Sequence, residues 1–174
     1  VDLLSIAGHK LYAPKGIGML YVRDFRKNGK KLERLIHGGH QEGNFRAGTE
    51  NTLGIIGWGA AARSLGLTVY DDIRHVRALR DLFEEKVMSR IPDVIINGGN
   101  APRKPCTTNI TFRFVEGESI ILRLDLNGIA ASTGSACSTG SLDPSHVIMA
   151  ISHDRETAHG SVRFSFGPEN TIGD

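Results

Sequence analysis

Between positions 69 and 87, apolar residues return every three or four places, at Val69, Ile73, Val76, Leu79, Phe83 and Val87, with Asp, Glu, Arg and Lys filling the gaps. On a helix of 3.6 residues per turn this spacing makes one apolar stripe, so 71–91 reads as an amphipathic helix that must stop before Pro92. Such a stripe has to lie against something, and the residues that follow supply it. Positions 94–96 and 108–114 read as strands, the second alternating as a half-buried strand does, and 161–166 alternates again as a last strand. Between them 118–126 suits a helix and 129–131 a short strand. Positions 144–151 suit another helix, with Pro144 in its first turn. The second half of the chain, from near Gly66, is therefore expected to be a compact α+β unit.

The first half has a different texture. Leu3 to Ile6 reads as a short buried strand and Gly16 to Arg23 as a second, with Ala7-Gly8-His9-Lys10 and a turn at Pro14 between them. No α-helix can follow directly on Lys10, because Pro14 and the nearby glycines break it. Leu32 to Ile36 reads as a third strand, and Gln41 to Asn51 as a long polar loop of the kind that is more often functional than idle. From Thr52 to Leu65 the residues are small and apolar and include Gly54, Gly57 and Gly59, which predicts a connecting helix packed closely on a neighbouring backbone. The chain begins inside an apolar run without methionine, and so is expected to be the end of a larger protein.

Composition excludes several classes. Hydrophobic residues make up 40% of the 174 and charged residues 23%, which argues against disorder. A formal charge of +2 is too small to argue for nucleic acid, and the basic run from Arg23 to Lys31 reads as a solvated loop. Two cysteines cannot build a disulfide framework, and no apolar run is long enough for a membrane, so a reducing cytoplasm is the expected setting. The histidines are scattered with no Cys-x-x-Cys, which argues against an intrinsic metal site.

Three residues can do chemistry. Cys137 sits in Ser132-Thr133-Gly134-Ser135-Ala136-Cys137-Ser138-Thr139-Gly140, among small residues that display a thiol rather than pack it; it reads as a mobile nucleophile or as a plain surface cysteine. A free thiol of pKa about 8.5 is only about 3% ionised at neutral pH, so a nucleophilic role requires activation from elsewhere in a site. Lys10 reads as an amine that can form a Schiff base with a carbonyl, or as a solvated lysine. Arg163, on an alternating strand, reads as a bidentate carboxylate clamp or as a surface arginine. Cys106 reads as a small packing residue.

Taken together and in order, the segments Val1 to Gly18 with Val22, His37 to Asn51, Ser132 to Ser145 and Ser161 to Gly167 resemble the pyridoxal-phosphate cysteine desulfurases of the NifS/IscS type, within class V of the aminotransferases. The resemblance covers nearly the whole chain. It implies an α/β fold: residues 1–65 would end a large cofactor-binding domain of the PLP-transferase, fold type I, architecture. Residues 66–174 would form a small α+β C-terminal domain carrying the cysteine loop. It also implies roles. Lys10 would hold pyridoxal 5'-phosphate covalently and move protons, with Ala7, Gly8 and His9 beside the cofactor. Thr49 would reach the phosphate of a second subunit's cofactor, implying a homodimer with shared sites. Arg163 would bind the carboxylate of L-cysteine, and Cys137 would take its sulfur. The products would be L-alanine and a persulfide passed to an acceptor such as an iron–sulfur scaffold protein, the one route by which Cys137 would meet a metal. Ala7 stands where a serine is frequent, which removes a hydroxyl from the phosphate contacts. A selenocysteine lyase and a non-catalytic dimerisation or acceptor-docking fragment are the alternatives. The 174 residues alone are expected to be inactive, because no residue among them supplies the platform and ring-nitrogen partner that such a cofactor requires.

Overall fold

A computed structural model describes residues 1–25, 32–134, 144–152 and 154–174, and in it the chain separates into two compact units, Val1–Val69 and Tyr70–Asp174. The division falls inside one continuous helix, α1 (Thr52–Arg90), of 39 residues. Sequence periodicity suggests two helices there. The backbone instead runs through Gly54, Gly57, Gly59 and Gly66 unbroken, each glycine tolerated at about 1 kcal/mol relative to alanine. Asn51 starts α1, its Oδ1 accepting from the Gly54 N–H at 3.0 Å.

In the first unit β1 (Leu3–Ala7) and β2 (Gly18–Val22) form an antiparallel ribbon, registered from Leu3 opposite Val22 to Ala7 opposite Gly18. A single 3-10 turn, Gly8–Leu11, leaves β1 and closes with Tyr12 in the left-handed region at φ 62°. Gly8 is buried there, its N–H donating to the Ile17 carbonyl at 2.9 Å. A Cβ on Gly8 would stand 2.9 Å from that same oxygen, so only glycine fits. Gly57 of α1 meets the ring of Pro14, where an added Cβ would lie 2.7 Å from Cγ; the close packing expected of this glycine is against a side-chain ring rather than a backbone. The strand expected at Leu32 to Ile36 does not form. These residues are coil and bend, and Leu35 is 93% exposed. The loop expected from Gln41 holds one short helical turn, Gln41–Asn44, in which Glu42 and Gly43 have positive φ.

The second unit is built on the antiparallel sheet β3 (Val94–Ile96), β4 (Thr107–Phe112) and β5 (Ser161–Ser165), in that order. Strand alternation divides it into two faces. One carries Ile110 and Val162, both fully buried, with Phe164, whose ring meets Phe83 of α1 at 4.8 Å; Phe83 also meets Phe166 at 5.5 Å. Val76 and Leu79 of the apolar stripe are buried as well. Each such side chain contributes about 1.5–3 kcal/mol by leaving water. The other face is polar. Its buried hydroxyls Thr111 and Ser161 donate to the Thr157 and Ala158 carbonyls of α4 (Arg155–His159), at 3.0 and 2.9 Å. Helices α2 (Gly117–Asp125) and α3 (His146–Ser152) complete the unit. The expected strand at 129–131 is reduced to one isolated bridge, at Ser132.

An ion pair holds α1 to the turn before β4. Arg103 grips Glu84 with both ends of its fork, Nη1 to Oε1 at 2.7 Å and Nη2 to Oε2 at 3.1 Å. Burial alone would push the Glu84 carboxyl up. The Arg103 hydrogen bonds, the nearby Thr108 hydroxyl, which is buried and falls outside strict hydrogen-bond geometry to every described group, and the charges of Arg103 and Arg80 outweigh burial, leaving it below its ordinary value. A carboxyl lowered on folding adds stability above its unfolded pKa, and that stability is lost as pH falls through the lower folded value. We therefore expect Glu84→Gln to destabilise the full-length protein by about 3 kcal/mol at neutral pH, since it strands a nearly buried guanidinium. In urea melts across acid pH, the gap between variant and wild type should close below about pH 4.5, the ordinary carboxylate value; a constant gap would show that the charge is irrelevant.

Candidate active site

Lys10 and His9 ride on the 3-10 turn after β1, both exposed. The turn exists because Gly8 can approach Ile17 and because Tyr12, with its N–H returning to the Gly8 carbonyl, reverses the chain. Among the described residues no carboxylate pairs with the Lys10 ammonium, so its Nζ is presented rather than neutralised. Ala7 ends β1 and is exposed, while Gly8 is buried. Thr49 belongs to the same unit. It is exposed and follows Gly48, which has φ +106° and is tied by its N–H to Gln41 Oε1 at 3.1 Å, and it precedes Asn51, the cap of α1.

Arg163 lies in the second unit, half-buried on the polar face of β5. It pairs on one side with Asn109 of β4 and on the other with Ser132. The Ser132 bridge is a closed pair: Arg163 N–H donates to the Ser132 carbonyl at 2.6 Å, and Ser132 N–H donates to the Arg163 carbonyl at 3.2 Å. The Ser132 hydroxyl then donates to the Gly134 carbonyl at 2.9 Å, turning the chain out of the sheet. Thr133 packs where Gly117 has no side chain; a Cβ there would stand 2.9 Å from the Thr133 methyl and from the Ser161 carbonyl. The root of the cysteine segment and the arginine are thus one piece of sheet. Cys137 itself lies outside the described residues. Cys106 is half-buried, its Sγ 3.6 Å from Thr107 Oγ1.

Among the described residues there is no group of three or more metal-ligating side chains, and no helix is long and apolar enough to cross a membrane. Of the sequence-derived candidates, then, His9 and Lys10 share one turn and Thr49 the same unit, while Arg163 is joined to the cysteine segment in the other. Sequence reasoning passed over Ser132 as an anchor, Gly117 as the space for Thr133, and Asn109 as the neighbour of Arg163. Only the parity of Asn109 on an alternating strand hinted at the last.

The chemistry of these residues suits an aldehyde-bearing, phosphorylated cofactor. Lys10 offers an exposed amine that could take a carbonyl carbon, and the exposed His9 and Thr49 offer donors that could meet a phosphate. Known proteins resemble this chain along nearly all of its length. The cysteine desulfurase IscS of Dictyoglomus turgidum is 53% identical over 167 residues, covering 96% of this chain and 41% of that protein. The cysteine desulfurase of Gluconacetobacter diazotrophicus is 51% identical over all 174 residues and 42% of its own length. The chain thus spans about two fifths of these relatives. Among solved structures, a NifS-like protein superposes with a TM-score of 0.84 at 30% identity, over 98% of this chain and 42% of that one. The NifS-like protein from Rickettsia africae does so with the same TM-score at 29% identity. These NifS-like structures share the mixed helix-and-sheet fold described above. With the Aminotransferase class-V pattern matching residues 1–174 throughout, the chain belongs to that family.

Proposed function

We propose that the full-length protein carrying this chain is a pyridoxal-phosphate-dependent cysteine desulfurase, which takes sulfur from L-cysteine and releases L-alanine. The observation that carries this reading is the backbone pair between Arg163 and Ser132, which roots the segment bearing Cys137 beside the arginine suited to a substrate carboxylate. Relatives named cysteine desulfurase, about half identical in sequence, support it.

Bound covalently at Lys10, the cofactor supplies an electron sink for the substrate's α- and β-carbons. This chain's own residues supply the rest. Arg163 holds the substrate carboxylate through two parallel N–H···O bonds, fixing the amino acid's orientation. Lys10 Nζ would also move the α-proton. His9 and Thr49 donate to the phosphate, Thr49 toward a second subunit, so the active form is a homodimer. The Cys137 thiolate attacks the substrate sulfur: a new S–S bond forms as the Cβ–S bond breaks, and the electron pair left on the carbon side is finally taken up by a proton to give alanine. Cys137 keeps the sulfur as a persulfide for an acceptor thiol or an iron–sulfur scaffold protein in the cytoplasm. The test is a visible spectrum of the full-length protein with the cofactor, followed by mass analysis of the Cys137 peptide after L-cysteine is added. One extra sulfur on that peptide is expected. A cofactor band with no added sulfur overturns the desulfurase reading, and a faster reaction with selenocysteine moves it to a lyase.

A further inference from the structure

A row of four polar residues crosses one face of the sheet in the second unit: Asn97, Asn109, Arg163 and Ser132. Backbone register makes them neighbours. Asn97 N–H donates to the Asn109 carbonyl at 2.9 Å, Asn109 stands opposite Arg163, and Arg163 opposite Ser132. Residues directly opposite in an antiparallel pair project from the same face, with Cβ atoms about 4.5–5.5 Å apart. All four are half-buried.

The hydrogen bonds along this row have a direction, and a carbonyl in α4 sets it. The Thr157 carbonyl can only accept, so the Thr111 hydroxyl, 3.0 Å away, spends its one proton there. The Thr111 oxygen must then accept at its other contact, 2.8 Å from the Asn97 side-chain amide, which fixes that atom as Nδ2. The second proton of Asn97 Nδ2 goes to Asn109 at 2.6 Å, which fixes the Asn109 atom there as Oδ1. Asn109 is left with its NH₂ end turned away from Asn97. At the far end of the row the Ser132 hydroxyl is committed to Gly134. Among the described residues no acceptor takes up the Asn109 NH₂, and none pairs with the Arg163 guanidinium.

We propose that Asn109 is a second donor to the substrate carboxylate, its side-chain N–H acting beside the Arg163 guanidinium. This rests on the reading above, in which Arg163 binds that carboxylate. A planar carboxylate has four lone-pair directions, and a bidentate arginine fills two of them. A neutral donor next to the arginine fills a third without adding charge that would have to be neutralised when the site is empty. The relay from Thr157 keeps this amide from flipping to present its oxygen, which would repel the substrate.

The experiment compares L-cysteine with cysteamine, which lacks only the carboxylate, as ligands of the full-length cofactor-loaded protein, with dissociation constants read from the visible spectrum. Wild type, Asn109→Ala, Asn109→Asp and Arg163→Ala are compared. A hydrogen bond to a charged group is worth roughly one to two powers of ten in affinity. Asn109→Ala should therefore weaken cysteine about 10- to 100-fold and leave cysteamine unchanged. Asn109→Asp, nearly the same shape, should weaken cysteine further, because its carboxylate pairs with Arg163 and repels the substrate. Equal losses for both ligands would assign Asn109 a purely structural role and overturn the proposal, and so would no loss for either. If Arg163→Ala keeps the preference for cysteine over cysteamine, the carboxylate reading falls and the proposal with it. If Arg163→Ala loses the preference while both Asn109 variants keep it, the proposal alone is overturned.

Discussion

Replacing Cys137 by serine in the full-length protein is expected to leave the cofactor spectrum and the binding of L-cysteine as they are, while sulfide and alanine production fall by at least about a thousandfold. A hydroxyl is far harder to ionise than a thiol and makes a poor acceptor for a sulfur atom, so the reaction stops after the substrate has bound. The cofactor band should survive because the residues proposed to hold the cofactor, His9, Lys10 and Thr49, all belong to the first unit and are untouched by the substitution. Measuring sulfide release together with the peptide mass separates the outcomes. Undiminished sulfide production would remove Cys137 from the reaction and return it to the surface-cysteine reading.

Lys10→Ala should act at the opposite end of the chemistry. The visible band of covalently held cofactor should disappear, and turnover should fall by about a thousandfold or more, since one amine both anchors the cofactor and moves the proton. Its turn is expected to survive: the fold of Gly8–Leu11 rests on Gly8, Ile17 and Tyr12 rather than on the lysine side chain, which is exposed. An unchanged band would show that a different amine holds the cofactor. A lost band with full activity on added cofactor would show that Lys10 anchors but does not catalyse.

The sequence made the periodic elements legible and left the non-local ones hidden. The stripe from Val69 to Val87 foretold the face of α1 that buries Val76 and Leu79 and sets the half-buried Phe83 against Phe164, because helical spacing is a local property. It did not foretell that α1 would run on through Gly66, where small propensity costs are outweighed along a 39-residue helix. Leu32 to Ile36 has the composition of a strand but no strand partner among the described residues, and composition without pairing does not make a ladder. Helix α4 went unnoticed although Asp154 is a strong cap: its carboxylate accepts from the Glu156 and Thr157 N–H groups and the Thr157 hydroxyl, which hold it below the ordinary carboxylate range. The signal was one residue followed by a helix too short to show a period. At the site, Lys10, Thr49 and Arg163 could be named from motifs. Asn109 could not, because its place beside Arg163 depends on the register of β4 with β5, and its orientation on a carbonyl 46 residues from Thr111.

The closed backbone pair between Ser132 and Arg163 also bears on how such a chain can diversify. Upstream of residue 135 the chain is pinned to the central sheet. Downstream of residue 143 the chain enters α3, whose first turn closes where the Ser145 carbonyl accepts from the Met149 N–H at 2.9 Å. A longer or shorter segment after residue 134 is expected to leave the arginine and its neighbours on β4 and β5 in register, because the Ser132–Arg163 pair and the β4–β5 ladder lie outside it. The segment carrying Cys137 is in that sense a cassette: under the function proposed above, delivery to a new acceptor could be evolved or grafted there without re-inventing recognition of the amino acid.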